Sequence, residues 1–331
     1  MPFDAILGQA TAIGTLTRAL RSGHVHHALR FEGPDGVGKE LTAMAVAQAL
    51  VCSGGDPLGC GTCSACRRAS TFSDGTPKVV HHPDIIFVER GFYPPETIGR
   101  SRPETQDISV DQVRSVVLTH AAYPPHEGRA RVFIVRRADE LSNSAANALL
   151  KTLEEPGAGT HFILLTSRPS RLISTIRSRS FRIRFNPLPR PVLLDLLKTR
   201  GVGDDRANEV VDLAAGSASL ALKLADPDAS SGRNAFVQAA IDALHSKDAA
   251  GLLALAESRS KDKQVLRENL EALAARLARM AHAETFANEA RAPLDAIRYQ
   301  IVLQAMRELD RNASPALLIE SMMLRMRAAS E

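Results

Sequence analysis

Through residues 1–186 short apolar runs alternate with amphipathic stretches, the rhythm of an α/β domain built on a parallel sheet. Ala28 to Glu32 reads as a strand that feeds a glycine-rich turn, followed by a helix from about Gly38 to Val51. Asp84 to Val88 reads as a second buried strand. Ser109 and Gln112 stand at capping-box spacing and open a helix whose apolar face carries Val113, Val116 and Val117. Val132 to Val135 is a third strand, and the helix after it, through Ala146, Leu149, Leu150 and Leu153, must stop before Pro156. Phe162 to Leu165 is a fourth. Phe181, Ile183 and Phe185 alternate with Arg182 and Arg184, as a half-exposed edge strand would.

Pro187 and Pro189 punctuate the chain, and the pattern beyond them is helical. Pro191–Arg200 and Ala207–Ala214 predict a small helical domain, and Asp226–Gly232 reads as a linker. Leu270, Leu273, Leu277 and Met280 then mark one of several long helices. The expected architecture is an α/β domain over 1–186, a helical lid over 187–228 and a helical bundle over 229–331. The composition changes little: 44% hydrophobic, 24% charged and a net charge of +4 describe an ordinary soluble protein and do not by themselves point to nucleic acid. No apolar run is long enough to predict a membrane span, and the start carries no signal-peptide pattern, so a cytoplasmic location is expected.

The chemistry concentrates in three places. Gly33 to Glu40 reads G-P-D-G-V-G-K-E between a strand and a helix, the pattern of a phosphate-binding loop. Gly33, Gly36 and Gly38 would let backbone N–H groups curl around phosphate oxygens, and Lys39 would reach the outer phosphates. A hydrolysing loop has Ser or Thr after the lysine as a Mg²⁺ ligand, whereas this chain has Glu40. The apolar run Val132–Val135 ends in Arg136 and Arg137, where such an ATPase needs carboxylates. Asp139 and Glu140 lie further on and read as a solvated acidic pair. Nucleotide binding is therefore expected to be possible and hydrolysis impaired.

Cys52, Cys60, Cys63 and Cys66 are all the cysteines of the chain. Thiolates at this spacing in a reducing compartment suit structural zinc; an iron–sulfur cluster or free redox thiols are the alternatives.

Several segments resemble the clamp-loader branch of AAA+ proteins. H-H-A-L-R-F-E-G-P-D-G-V-G-K (His26–Lys39) is similar to that family's nucleotide loop, and Gly8-Gln9 to its adenine-side box. L-S-N-S-A-A-N-A-L-L-K-T-L-E-E-P (Leu141–Pro156) is similar to the helix after its Walker B strand. L-T-S-R-P-S-R-L-I-S-T-I-R-S-R-S (Leu165–Ser180) resembles its sensor strand and Ser-Arg-Cys finger, with Ser180 in place of the cysteine. N-A-S-P-A-L-L-I-E (Asn312–Glu320) supports the bundle loosely.

The resemblance implies an AAA+ fold with a lid and a collar, and a similar zinc insertion at about 52–66. Thr166 fits the sensor-1 position, and Ser219 stands where a motor subunit carries its sensor-2 arginine. Arg179, flanked by Ser178 and Ser180, would act in trans as an arginine finger on ATP bound next door. The losses at Glu40, Arg136, Arg137 and Ser219 point to a non-hydrolysing subunit working with motor subunits, a delta subunit, the sliding clamp and primed DNA. The rival readings are an active motor ATPase and a zinc-dependent nucleic-acid-binding module with a vestigial loop.

Overall fold

The computed structural model describes residues 3–75, 77–101, 107–127, 129–245, 263–284, 292–310 and 313–329. Asn312, which entered the sequence reading, lies outside them. The chain divides into two compact units, Met1–Leu222 and Lys223–Glu331.

The first unit is built on β1 (Ala28–Glu32), β2 (Ile85–Val88), β3 (Arg131–Val135), β4 (Thr160–Thr166) and β5 (Phe181–Arg184). The five strands lie in the order β2-β3-β4-β1-β5, and every pairing is parallel. Helices cover both faces, so the inner strands are largely buried on both sides, and β3 is buried at all of its positions. One face packs Leu29, Phe31, Ile134, Ile163 and Ile183 under α1 (Ala10–Arg21) and α2 (Lys39–Val51). The other packs Phe133, Phe162 and Leu164 against residues 110–121, which form α4, and α5 (Asn143–Glu154). Between α2 and β2 lies a short α3 (Ser64–Ala69).

The capping-box spacing is half realised. Ser109 Oγ accepts from Gln112 N at 3.2 Å, but the Gln112 side chain donates to Glu89 O at 2.9 Å instead of returning to the cap. The middle of α4, Val113–Leu118, is wound in wider i→i+5 turns. Asp84 stands just before β2, buried, and its carboxylate accepts from His126 N, Glu127 N and the Arg131 guanidinium.

β5 is the sheet edge, as the Phe/Arg alternation predicts, with Ile183 and Phe185 buried and Arg182 and Arg184 exposed. Phe181 departs from that pattern: it is exposed and stacks beside His26 at 6.1 Å between ring centroids. After β5 come α6's successors in the chain, α7 (Arg190–Thr199), α8 (Asp204–Ala214) and α9 (Ala218–Ala225), where α6 is the short helix Ser174–Ser178. The expected linker at Asp226–Gly232 is corrected: Pro227–His245 is a continuous helix, α10. Proline is tolerated at a first helical position, so Asp-Pro here starts a helix.

The second unit comprises α10, α11 (Lys263–Glu284), α12 (Ala292–Asp310) and α13 (Pro315–Ala328). Leu270, Leu273 and Leu277 of α11 pack on Val302, Ile319, Met322 and Met326, with all of these side chains buried.

Candidate functional site

Strand β1 delivers the glycine-rich loop to the carboxyl end of the sheet, where ligands of open α/β sheets bind. Gly33 N donates to Thr166 O at the end of β4. Gly38 caps α2 in the left-handed region with φ 100°, a conformation that favours glycine. Lys39 turns its buried ammonium onto the loop itself, donating to Gly33 O at 2.6 Å and Pro34 O at 2.5 Å, with Asp35 at 3.5 Å. Burial pushes the lysine's pKa down, against the opposing pull of Asp35 and Asp139. Gly36 O accepts from Ala218 N at 2.9 Å, and a Cβ on Gly36 would meet Ser217 Oγ at 2.2 Å. The start of α9, with Ser219, therefore lies directly against the loop. Gln9 is buried and joins Val37 O to the Asn186 backbone, which ties the segment before α1 to both the loop and the end of β5.

Glu40 and Arg136, far apart in the chain, find each other. Arg136 donates through Nη2 to Glu40 Oε1 and through Nη1 to Glu89 Oε2 at 3.0 Å, while its guanidinium lies 4.0 Å from the centroid of the Phe87 ring. Arg137 adopts a positive φ of 47° and points to Glu140 at 3.5 Å.

The reading of Asp139 and Glu140 as a solvated pair is overturned. Asp139 is only 7% exposed; it accepts from Thr166 Oγ1 at 2.7 Å and from Arg168 Nε at 2.9 Å. Glu140 is nearly covered and faces Arg90, Arg137 and Arg168. A tight turn over Ala138–Glu140 rolls both carboxylates back against the end of β4, which no strand-end count along the sequence reveals.

Arg179 follows α6 on another surface, at a turn beside the end of α5. Its Nε and Nη2 engage Glu154 Oε1, and Nη1 donates to Thr175 O at 3.1 Å and Ser178 Oγ at 3.3 Å. Behind the turn is a residue the sequence reading passed over, Arg30 of β1, whose Nη1 donates to Arg177 O at 2.7 Å and Ser180 Oγ at 2.8 Å. The signal was present as two charges, Arg30 and Glu32, on a strand otherwise apolar.

The cysteines converge. The Sγ atoms of Cys52, Cys60, Cys63 and Cys66 all lie within 4.8 Å of one another, and this group could hold a metal ion. Cys52–Cys63 and Cys60–Cys66 are each separated by 4.0 Å, too far for disulfides. Backbone N–H groups of Gly54 and Cys60 point at Cys52 Sγ, that of Cys63 at Cys60 Sγ, and that of Cys66 at Cys63 Sγ. Such donors suit thiolates. A Ser53 side-chain hydrogen bond holds the Cys63 thiol down at about 5, whereas burial pushes Cys66 up. Arg129 Nη1 donates to Cys52 O at 2.6 Å, and Arg68 of α3 pairs with Glu127, so the loop before β3 braces the knuckle.

A five-stranded parallel sheet with a glycine-rich loop after β1, and helices beyond the sheet of which α9 begins against that loop, define the AAA+ class of fold. Residues 8–189 match the family model described as "DNA polymerase III, delta subunit", and the chain belongs to that family. Among curated relatives it is 34% identical to the DNA polymerase III subunit delta' of Escherichia coli (strain K12) over 245 residues, covering 72% of this chain and 66% of that one. It is 32% identical to the gamma/tau subunit of Mycobacterium bovis over 222 residues, covering 66% of this chain but 35% of the relative, so it spans about a third of that relative's length. A DNA polymerase III gamma subunit-related protein of Thermotoga maritima has a similar fold, with a TM-score of 0.51 at 18% identity, covering 96% of this chain and 99% of the other.

Proposed function

We propose that this chain is a delta-prime-type subunit of a bacterial clamp loader, which hydrolyses no ATP itself and lends Arg179 to the ATP site of a neighbouring motor subunit. The observation that carries the reading is the closed ion-pair set at the end of β3. Arg136 places a guanidinium between Glu40 and Glu89, where an ATPase keeps carboxylates and a hydroxyl around Mg²⁺. Arg179, by contrast, sits in a partly exposed turn and matches the finger segment. In trans, its fork would stabilise the charge that builds on the transferring phosphoryl group, and its permanent charge suits that task.

Its partners in this reading are motor subunits, a delta subunit, the sliding clamp and primed DNA, in the cytoplasm. Among the described residues no helix is long and apolar enough to cross a membrane. The α/β domain over 1–186 would carry the loop and finger, the lid over 187–228 would cover the loop, and the bundle over 229–331 would serve as the collar. Nucleotide can rest in the loop formed by Gly33, Gly36, Gly38 and Lys39, beside Thr166, without being turned over.

Zinc fits the cysteine set. Four thiolates at ~2.3 Å from one ion stand ~3.8 Å apart, close to the 4.0 Å separations here, and a multi-iron cluster needs a wider cage. Cys52, Cys60, Cys63 and Cys66 would hold it as a structural ion.

The gamma/tau similarity favours a second reading, an active motor ATPase. One pair of assays separates the two. In the reconstituted complex, Arg179→Ala is expected to lower DNA-stimulated ATPase by ~10³-fold at the sites it serves while the subunit stays folded. ATP turnover by the isolated chain, abolished by Lys39→Ala, would establish the motor reading instead.

A further inference from the structure

We propose that Arg30 is a positioning residue for the finger: a buried guanidinium on the sheet that sets where the Arg179 turn stands. This rests on the reading of Arg179 as a finger acting in trans.

Arg30 is 6% exposed, near the middle of β1, a strand flanked by β4 and β5. A cation so placed needs a reason, because desolvating it is costly unless it is paired and hydrogen-bonded. Its Nε donates to Glu32 Oε1 at 2.6 Å, which meets the charge requirement. Its Nη1 is used differently. It reaches Arg177 O and Ser180 Oγ, the acceptors on either side of Arg179 in sequence.

Ser180 completes the clamp. Its hydroxyl accepts from Arg30 and donates onward to Ile176 O at 2.7 Å, while Arg179 N donates to the same carbonyl at 3.2 Å. The turn over residues 176–180 is thus bonded across its width and anchored through Arg30 to the sheet. Ile176, at the head of the turn, is fully buried. The Arg179 side chain is held by Glu154, Thr175 and Ser178, exposed or half-buried groups it can exchange for phosphate oxygens.

This geometry accounts for serine where the resembling motif has cysteine. A thiol is a weak donor and acceptor and could not relay Arg30 to Ile176 O as a hydroxyl does. It also accounts for an ion pair where apolar residues would pack. A buried ion pair adds little stability over a hydrophobic pair of similar volume; what it adds here is direction. Direction matters at the finger because displacing a catalytic group by ~1 Å can cost ~10²-fold in rate.

The test uses the full chain assembled with its motor and delta subunits, with DNA-stimulated ATPase measured against the concentration of this subunit. The variant is Arg30→Met with Glu32→Gln, which removes both charges together and leaves neither buried alone. The expected result is a maximal rate lowered ~10-fold, with the half-saturating concentration and the thermal midpoint of the subunit unchanged. Arg30→Lys, which keeps one donor within reach of the turn, is expected to recover part of the rate. Arg179→Ala runs in parallel. If Arg179→Ala abolishes stimulation while the Arg30/Glu32 variant turns over normally, the positioning role is overturned and the finger stands. If the variant's rate and thermal midpoint fall together while its half-saturating concentration rises, Arg30 is merely structural and the proposal fails. If Arg179→Ala itself changes nothing, the finger reading falls and takes this inference with it.

Discussion

Arg136, one residue past β3, reaches the Glu40 carboxylate at the head of α2 and joins the two positions at which a phosphate-loop ATPase would hold Mg²⁺. Each residue taken alone departs from the pattern of a hydrolysing loop. Together they form a salt bridge with Glu89 as a third member and Phe87 beneath the guanidinium. The cation that a metal site would recruit is thereby supplied covalently by the chain.

Nucleotide binding by the isolated chain should therefore not depend on Mg²⁺. Calorimetric titration with ATP in the presence and absence of Mg²⁺ is expected to give the same affinity. Glu40→Thr with Arg136→Asp restores a hydroxyl and a carboxylate, and Mg²⁺-dependence should appear in that double variant alone. A Mg²⁺ effect on the unaltered chain would contradict the pairing as a substitute for the metal site.

Metal analysis of the purified chain should find one zinc per molecule, lost on Cys66→Ser. Loading the metal-free chain at neutral pH should release protons, the buried Cys66 thiol being one source. Burial holds its thiol protonated, whereas Cys63, at about 5, is already a thiolate. Calorimetry in buffers of different ionisation enthalpy measures that release; an enthalpy independent of buffer would count against it.

Acid should weaken the α/β unit through its histidines. Burial lowers the pKa of His161 below its ordinary 6.5, and the Nδ1 atom is buried without a hydrogen-bond partner. His26 is lowered too, first by burial and then by His27, whose ring lies 4.4 Å away. For a base with a depressed folded-state pKa, the unfolded chain takes up the proton first. Stability is thus intact above 6.5 and declines as pH falls from there toward the lowered folded value. Urea unfolding on either side of 6.5 should show this loss, and His161→Gln should make it smaller. Equal slopes for the two proteins would refute the assignment to His161.

Much of the fold was legible because its signals are local. Apolar runs, prolines and glycine-rich turns placed the five strands within a few residues, and the phosphate loop, the finger segment and the cysteine spacing could be read as patterns. The misreadings have one physical source. Asp226–Gly232 looks like a linker because proline and glycine weigh locally, yet proline at a helix start costs nothing, and Pro227–His245 is one helix. Asp139 looks solvated because acidic residues after a strand usually are, yet a tight turn buries it beneath Thr166 and Arg168.

The sequence by itself determined the chemical inventory: a loop with Glu40 after its lysine, a strand end followed by two arginines, the Ser178-Arg179-Ser180 segment and four cysteines. Only the tertiary structure decided how these act on one another. It set Arg136 between Glu40 and Glu89, brought Cys52 to the other three cysteines, and bonded Arg30 to Arg177 O, two residues before Arg179, across 147 positions of chain. Long-range pairing of charges depends on which strands become neighbours. The parallel order β4-β1-β5 put β1 beside the strand that follows Arg179, and no local pattern contains that choice.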